Sequence, residues 1–438
     1  MAEINKAPRG TCDVLGSDSK KWQYVEKTML DTAALYGFKE VRVPVFEHTE
    51  VFVRSVGDTT DVVQKEMYTF LDKGERSITL RPEFTAGVVR SMIEHGCVQD
   101  TLPVKACYIG ACYRYEKPQA GRLREFHQFG VECLGAKAPA ADCEVISLAH
   151  RLLNTLGIKK LSLEINSIGC PECRKEYHKA LKEYFSKNSE KLCNTCLDRM
   201  ERNPMRILDC KSPVCSEIAK DAPVMLNFLC DECKEHFEGV KAHLNAAGIE
   251  YTVNPKIVRG LDYYTKTVFE FVSGDIGAQA TVCGGGRYDG LVSQMGGPEL
   301  ASLGFGMGIE RLLMVMEAQN APIPEDKPCD VYIAPMGNDA AIYATKLCSN
   351  LRDEGFIALM DTSERGLKAQ MRYANKIGAK FTLVLGDSEL ESKKANLKNM
   401  DTGEQIEISL PDGLVRAVYE QNIKVATENL LEQVNKEN

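Results

Sequence analysis

Apolar positions at Trp22, Val25, Met29, Ala33 and Leu35 repeat at helical spacing and predict a helix from about Lys20 to Tyr36. Gly37 stops it. The following FKEVRVPVFE reads as a strand interrupted by Pro44, which puts that strand at an edge or an interface. SITL at Ser77–Leu80 is a short strand running into RPEFTAGVVRSMIEHG, where Phe84, Val88, Met92 and Ile93 predict a helix with Glu83 and Thr85 at its start. Two long strand patterns come next, Val104–Lys117 and Arg124–Gly135, joined by the polar loop PQAGRL. A helix around Ala141–Leu156 and a strand in LSLEINSIG follow. From Cys170 to Gly248 the chain turns charged, helical and dense in cysteine. Glycine-rich strand sequence returns at Val258–Val292, and a helix begins near Met307 and runs to about Ala318.

This pattern divides the chain into a first core segment at 1–169, a cysteine-rich helical segment at 170–248 and a second core segment at 249–320. A linker at 321–328, marked by Pro322, Pro324 and Pro328, leads to a last domain at 329–438. There DVYIAPMG, FIALMD and KFTLVLGD read as buried strands separated by two helices, which implies a mostly parallel sheet covered by helices. The fold class is α/β and α+β, multi-domain.

Side chains in a strand alternate between faces. Arg114 and Glu116 therefore share one face of the first long strand, and Arg124, Phe126, Gln128 and Glu132 share one face of the second. A solvated outer face explains such alternation too. Paired as a hairpin, however, the strands present two cations, two carboxylates, an amide and a ring, a floor for a small charged ligand. Further on, VRGLDYYTKTVFEF brings Arg259, Tyr263 and Tyr264 to the start of a strand. AQATVCGGGRYDGLV has three successive glycines, 284–286, before Arg287, Tyr288 and Asp289. Glycines let backbone approach a ligand closely; the triplet alone reads as a mobile loop. GFGMGIERLL places Gly304, Gly306 and Gly308 at alternating positions, which leaves a strand face open for a flat group, and carries Glu310 and Arg311 into a helix.

Composition narrows the partners. With 44% hydrophobic and 26% charged residues among 438, the chain is an ordinary soluble type with material for two or three cores. A net charge of −8 excludes a protein that coats nucleic acid nonspecifically, though not one with a local basic surface. No apolar run reaches membrane-spanning length, and MAEINKAPRG lacks a signal-peptide core, so a cytoplasmic protein is expected. Seventeen cysteines without an export signal suggest reduced thiols. Eight of them fall between positions 170 and 233: Cys170 with Cys173, Cys193 with Cys196, Cys210 with Cys215, and Cys230 with Cys233. Three CxxC pairs are a zinc spacing and predict one or two structural zinc ions; the other reading is a set of reduced thiols in a helical domain.

Taken in order, these segments resemble the class II histidyl-tRNA synthetases, over essentially the whole length from RGTCDVLG onwards. The helix and the Pro44 strand resemble class motif 1, YRYE with the loop and REFHQF motif 2, and GFGMGIERLL motif 3. RGLDYYTKTVFEF and TVCGGGRYDGL resemble the two histidine-specific segments. The resemblance implies an antiparallel-sheet catalytic core, a helical insertion domain and a C-terminal α/β anticodon-binding domain. It implies a homodimer that activates L-histidine with ATP and Mg2+ and transfers it to tRNA(His). Glu83, Thr85 and Gln128 would hold the amino group of histidine. Glu132 and Tyr264 would meet the imidazole nitrogens, with Tyr263 and Tyr288 lining the pocket. Arg114 would meet the α-phosphate, Arg122 the terminal phosphates and Glu116 the adenine amino group, while Phe126 and Arg311 cover opposite faces of adenine. Arg259 would reach both the histidine carboxylate and the α-phosphate, making Arg259, Arg114 and Gln128 the catalytic set. Gln119 would touch the acceptor end of the tRNA, and Arg365, Lys368 and Arg372 its backbone, with Lys376 nearby. Phe84 stands where many relatives have glycine, which implies a local packing change. The same core also occurs in a histidine-binding regulatory paralogue of ATP phosphoribosyltransferase; such a protein should have lost the C-terminal domain and the ATP-contacting arginines, which this chain keeps.

Overall fold

The computed structural model describes residues 5–57, 60–210, 212–275, 281–324 and 329–437, and the chain divides after Pro324 into two compact units. Residues 325–328 of the expected linker and 278–280 of the AQATVCGGG segment lie outside the described residues.

The first unit opens with α1 (Ser17–Leu35), whose Val25, Met29 and Ala33 are fully buried. Pro44 splits the next strand into β1 (Lys39–Glu40) and β2 (Phe46–His48). After α2 (Thr49–Val56) come β3 (Thr69–Leu71), β4 (Ser77–Leu80) and α3 (Thr85–Glu94). All three residues of β3 are exposed, so the strand exists by pairing with β4 and buries no apolar side chain of its own. β2, β4 and β3 form a small sheet in that order.

The long hairpin is β5 (Val104–Tyr113) and β6 (Glu125–Leu134), paired antiparallel from Val104 opposite Leu134 to Tyr113 opposite Glu125. Both strands are shorter than the pattern suggested. Arg114, Glu116 and Arg124 lie in the connection: the Arg114 N–H still donates to the Arg124 carbonyl, but the Tyr115 N–H turns away to the Glu66 carbonyl and the Arg124 N–H to that of Gly10. Then follow α4 (Pro139–Thr155), β7 (Ser162–Ser167), α5 (Pro171–Ser186), α6 (Asn194–Arg202), α7 (Pro213–Ile218) and α8 (Asp231–Ala246). β8 (Thr252–Val253), β9 (Thr265–Val272), β10 (Thr281–Arg287), α9 (Leu291–Gln294), β11 (Ser302–Gly308) and α10 (Ile309–Ala318) complete the unit. The last helix starts two residues later than expected, since β11 pairs with β6 through Gly308.

Eight strands form one sheet in the order β1-β5-β6-β11-β10-β9-β7-β8, antiparallel except at the two edge pairs. Residue parity separates its faces. Odd-numbered Phe129, Val131 and Cys133 pack with Val25 and Met29 of α1, Ile146 and Leu152 of α4, and Leu312 of α10 in one core. Even-numbered Ala106, Tyr108 and Cys112 join a second core with Phe84, Tyr263, Tyr264 and Tyr288 and the interior of the cysteine-rich segment. The helical side is fastened by a buried ion pair: Arg287 donates to both carboxylate oxygens of Asp142 on α4, and His236 of α8 lies 3.2 Å from the same carboxylate.

The second unit contains β12 (Val331–Pro335), α11 (Asn338–Asp353), β13 (Ala358–Met360), α12 (Leu367–Lys376), β14 (Phe381–Leu385), α13 (Asp387–Ser392), β15 (Lys394–Asn399), β16 (Gln405–Ser409) and α14 (Asp412–Glu437). β13, β12 and β14 are parallel, as the alternation implied. β15 and β16 add an antiparallel edge hairpin, in which only Ala395, Leu397 and Ile408 are buried, too few apolar positions to announce a strand pair.

Candidate active site

The even face of the large sheet floors a cavity of about 350 Å³. Glu132 on β6 is almost fully enclosed there, 1% exposed. Thr85 Oγ1 and Tyr108 OH donate to one carboxylate oxygen at 2.7 and 3.0 Å, and Tyr288 OH meets the other. The neighbouring strands offer Ala106 and Gly304 opposite it. A Cβ on Gly304 would lie 2.1 Å from Glu132 Oε2, so this carboxylate occupies the space that the glycine leaves. The open strand face read from Gly304, Gly306 and Gly308 is thus closed at its first position, and a flat group finds room only beside the other two. Burial pushes the Glu132 carboxyl up to about 8, against the pull of its hydroxyl donors.

Glu83 caps α3, accepting the backbone N–H groups of Thr85 and Ala86 at 2.7 and 2.9 Å. Burial raises its pKa, against those same bonds. Phe84 does more than fill space. Its ring stacks on Tyr108 with centroids 4.3 Å apart, the Arg81 guanidinium lies 4.0 Å from the same ring, and Tyr108 in turn supports Glu132. Tyr263 and Tyr264 lie beside Tyr288, and burial holds all three phenols neutral, above their ordinary pKa.

Arg259 precedes β9 and enters the cavity as an ion pair with Glu270, its guanidinium 5.3 Å from the Tyr264 ring. Glu270 stands opposite Gly284 in the register, and a Cβ on Gly284 would lie 2.5 Å from Arg259 Nη1. The first glycine of the triplet therefore sits within a strand and makes room for the arginine. Burial opposes the charge, but Tyr264 and Glu270 outweigh it and hold the pKa above the usual arginine value. Arg259 Nε is buried and has no hydrogen-bond partner among the described residues.

Four residues along β6 from Glu132, roughly 13 Å at the usual strand rise, lies Gln128, opposite Gly308 and next to Phe126. The remaining cations gather about this end. Arg114 Nε donates to the Pro82 carbonyl at 2.8 Å, and its guanidinium is 5.1 Å from the Phe126 ring. Glu116 pairs with Arg122 at 2.5 Å and with Arg114 at 3.8 Å. Arg311 on α10 donates to the carbonyls of Gly121 and Thr281. Its pKa is lowered by burial and then by Arg122. Glu310 accepts the His127 N–H at 2.9 Å and so fastens α10 to β6.

Glu83, Thr85, Arg114, Glu116, Arg122, Phe126, Gln128, Glu132, Arg259, Tyr263, Tyr264, Tyr288 and Arg311 thus line one cavity. Arg124 does not. Its guanidinium packs 3.9 Å from the Tyr115 ring and donates to the Glu116 carbonyl, because the strand starts after it. Tyr108, Glu270 and Thr281 also line the cavity and were not singled out from the sequence. The parity rule would have found Tyr108 and Glu270, both even-numbered within strands.

Gln119 is exposed, and its backbone bridges that of Arg122. In the second unit Lys368 and Arg372 are exposed one turn apart on α12, with Lys376 beyond. Arg365 precedes the helix, pairs with Asp361 at 2.9 Å and lies 4.1 Å from the Tyr373 ring. The eight cysteines of the helical segment gather into two sets of four, Cys170, Cys173, Cys230 and Cys233, and Cys193, Cys196, Cys210 and Cys215. No helix among the described residues is long and apolar enough to cross a membrane.

The histidyl-tRNA synthetase family model matches residues 10–312, and an anticodon-binding domain model matches residues 330–418. A histidine–tRNA ligase of Acetivibrio thermocellus is 59% identical over 407 residues, 93% of this chain and 98% of that protein. Another, from Caldanaerobacter subterraneus, is 55% identical over 415 residues, 95% of this chain and 99% of its own length. The crystal structure of apo histidyl-tRNA synthetase from S. aureus superposes with a TM-score of 0.81 at 42% identity, covering 95% of this chain and all of that one. A Bacillus halodurans protein described as an ATP phosphoribosyltransferase regulatory subunit/histidyl-tRNA synthetase has a TM-score of 0.64 at 20% identity over 88% of this chain and 99% of its own, a likeness of fold alone. With one family model spanning most of the chain and relatives more than half identical along nearly their whole length, the chain belongs to the histidyl-tRNA synthetases.

Proposed function

We propose that this chain activates L-histidine with ATP and transfers it to the 3′ end of tRNA(His). A histidine carboxylate oxygen attacks the α-phosphorus, the bond to pyrophosphate breaks, and histidyl-adenylate remains. The terminal ribose hydroxyl of the tRNA then attacks the activated carbonyl, and AMP leaves. No protein nucleophile is needed. The chain's contribution to the first step is positioning and charge stabilisation.

The observation that carries this reading is the division of one cavity into two chemically distinct ends. At the first, Glu132 spends three of its four acceptor positions on Thr85, Tyr108 and Tyr288 and keeps one for an imidazole N–H. Tyr264 serves the other ring nitrogen, Tyr263 and Tyr288 enclose the ring, and Glu83 and Thr85 hold the amino group, with Gln128 approaching it from the far end of β6. At the second end Arg114, Arg122 and Arg311 surround Phe126, a surface for adenine and phosphates, with Glu116 for the adenine amino group. Arg259 stands where the two meet, and its unpartnered Nε is a ready donor to a carboxylate or an α-phosphate. Magnesium arrives with ATP and neutralises the outer phosphates. Gln119 and the basic residues Arg365, Lys368 and Arg372 serve the tRNA. Exposed Phe46, Phe70 and Leu71 on the small sheet support a homodimer, and seventeen free cysteines support a reducing cytosol.

ATP–pyrophosphate exchange measured separately with histidine and with other amino acids tests this reading. Exchange that requires histidine is expected. Histidine binding without exchange would assign the chain to the regulatory type.

A further inference from the structure

We infer that the cysteine-rich segment is a two-zinc module: Cys170, Cys173, Cys230 and Cys233 hold one ion, and Cys193, Cys196, Cys210 and Cys215 hold a second. Spacing alone leaves the pairing open, since four pairs of cysteines can combine in several ways. The fold decides it. Within each set the four Sγ atoms all lie within 4.8 Å of one another. A tetrahedral ion with Zn–S bonds of about 2.3 Å requires sulfurs about 3.8 Å apart. Cys170 and Cys173 Sγ are 3.5 Å apart and Cys193 and Cys210 Sγ 3.9 Å, on either side of that value. Disulfides would use sulfurs two at a time; four in mutual contact fit one ion of tetrahedral geometry.

Helix ends and backbone donors face the sulfurs. Cys170, Cys193 and Cys230 each precede the first residue of a helix, α5, α6 and α8, with the second cysteine of the pair inside the first turn. Positive helix ends favour thiolate charge there. Backbone N–H groups also point at the sulfurs, from Cys230 to Cys173 at 3.1 Å, from Cys193 to Cys215 at 3.3 Å and from Ser212 to Cys210 at 3.5 Å. Such donors neutralise part of a tetrathiolate's charge and orient its ligands.

The placement gives each ion a distinct task. The first joins the start of α5 to the start of α8, closing the base of the segment where it leaves and re-enters the core. The second holds α6 and α7, of nine and six residues. Leu192, Met205 and Ile207 are buried beside it, and metal ligation would add to that small core.

Metal analysis of the full-length protein, purified without added zinc, tests the inference. Two zinc ions per chain are expected, with seventeen reactive thiols after unfolding in chelator. Cys193→Ser with Cys196→Ser should leave one ion, as should Cys170→Ser with Cys173→Ser. A second measurement serves if these variants do not fold: the intact protein loaded with cobalt(II) should show the absorption of tetrahedral tetrathiolate cobalt at two equivalents. One ion in the parent protein overturns the two-site assignment; a substoichiometric trace, with no cobalt spectrum, overturns the module altogether.

Discussion

Thr85 Oγ1 donates a 2.7 Å hydrogen bond to Glu132 Oε1, tying the first turn of α3 to β6. The same threonine gives its backbone N–H to Glu83. One short side chain thus links the carboxylate assigned to the amino group with the carboxylate assigned to the imidazole. Their spacing is set by a helix cap and a strand, both rigid elements, which is what a site selecting one small amino acid requires.

Glu132→Gln should abolish the pH dependence that the buried carboxyl imposes. Its pKa of about 8 in the fold exceeds its ordinary 4.5. Between those values the folded state holds a proton that the unfolded chain releases, so stability falls as pH rises through that window. Glutamine cannot ionise. The variant's gain in Tm over the parent should therefore be larger at pH 9 than at pH 5, while histidine-dependent exchange drops by about ten- to a hundredfold, roughly 1–3 kcal/mol for a buried polar group left without its partner. An equal Tm difference at both pH values would contradict the assignment.

Gly284→Ala should copy the defect of Arg259→Ala. The added methyl carbon would lie 2.5 Å from Nη1 and 2.7 Å from Nη2, so the guanidinium must move. No left-handed backbone is involved at this position, and folding should survive. Pyrophosphate exchange is expected to fall by about 10²–10³-fold in either variant, the usual loss for a displaced transition-state donor. Unchanged exchange in Gly284→Ala would show that Arg259 is not held where the cavity needs it.

Much of this site was legible because strand parity is a local property. Phe126, Gln128 and Glu132 share a face by counting alone, and β6 keeps that count from end to end. Strand ends were not legible. The Arg114 N–H still meets the Arg124 carbonyl, but the ladder ends there because Tyr115 and Arg124 give their N–H groups to Glu66 and Gly10, distant in sequence. The meaning of the glycines was hidden for the same reason: Gly284 and Gly304 are explained by Arg259 and Glu132, side chains that reach them only in the folded sheet. β3 and the edge hairpin β15–β16 went unseen because pairing, not apolar burial, defines them.

Arg287→Met should cost stability without touching the chemistry. Arg287 and Asp142 are each nearly inaccessible, at 1% and 2% of side-chain exposure. Burial raises the Asp142 pKa, but the bonds from His236 and Arg287 more than reverse this and hold it below the ordinary value. Removing the guanidinium leaves a buried carboxylate with His236 alone, and breaking such a pair costs about 3–5 kcal/mol. Denaturant unfolding should show this loss at neutral pH. It should shrink as pH falls through the Asp142 pKa, because protonation removes the unpaired charge. A loss that stays the same at acid pH would mean that packing, not the pair, is responsible.

Arg206→Ala tests whether the cysteine-rich segment supports Arg259. Arg206 lies between Cys196 and Cys210 and donates to the carbonyl of Gly260, the residue after Arg259; its Nε is 3.8 Å from Asp262. Asn203, on the same segment, donates to Asp262 at 3.1 Å. The turn that carries Arg259 is therefore held from outside the core. Removing the two Arg206 contacts while Asn203 keeps its own should loosen the turn without emptying a core position, so Tm and zinc content should stay near the parent's. Small misplacements of a positioning group reduce rate steeply, up to about a hundredfold for an ångström. We expect kcat for pyrophosphate exchange to fall about tenfold, with a smaller rise in KM for histidine, because Tyr263 and Tyr264 follow this turn while Glu132 and Thr85, assigned to the side chain and amino group, stand on other elements. A rise in KM with kcat preserved would place Arg206 in histidine binding and remove the link between the segment and Arg259.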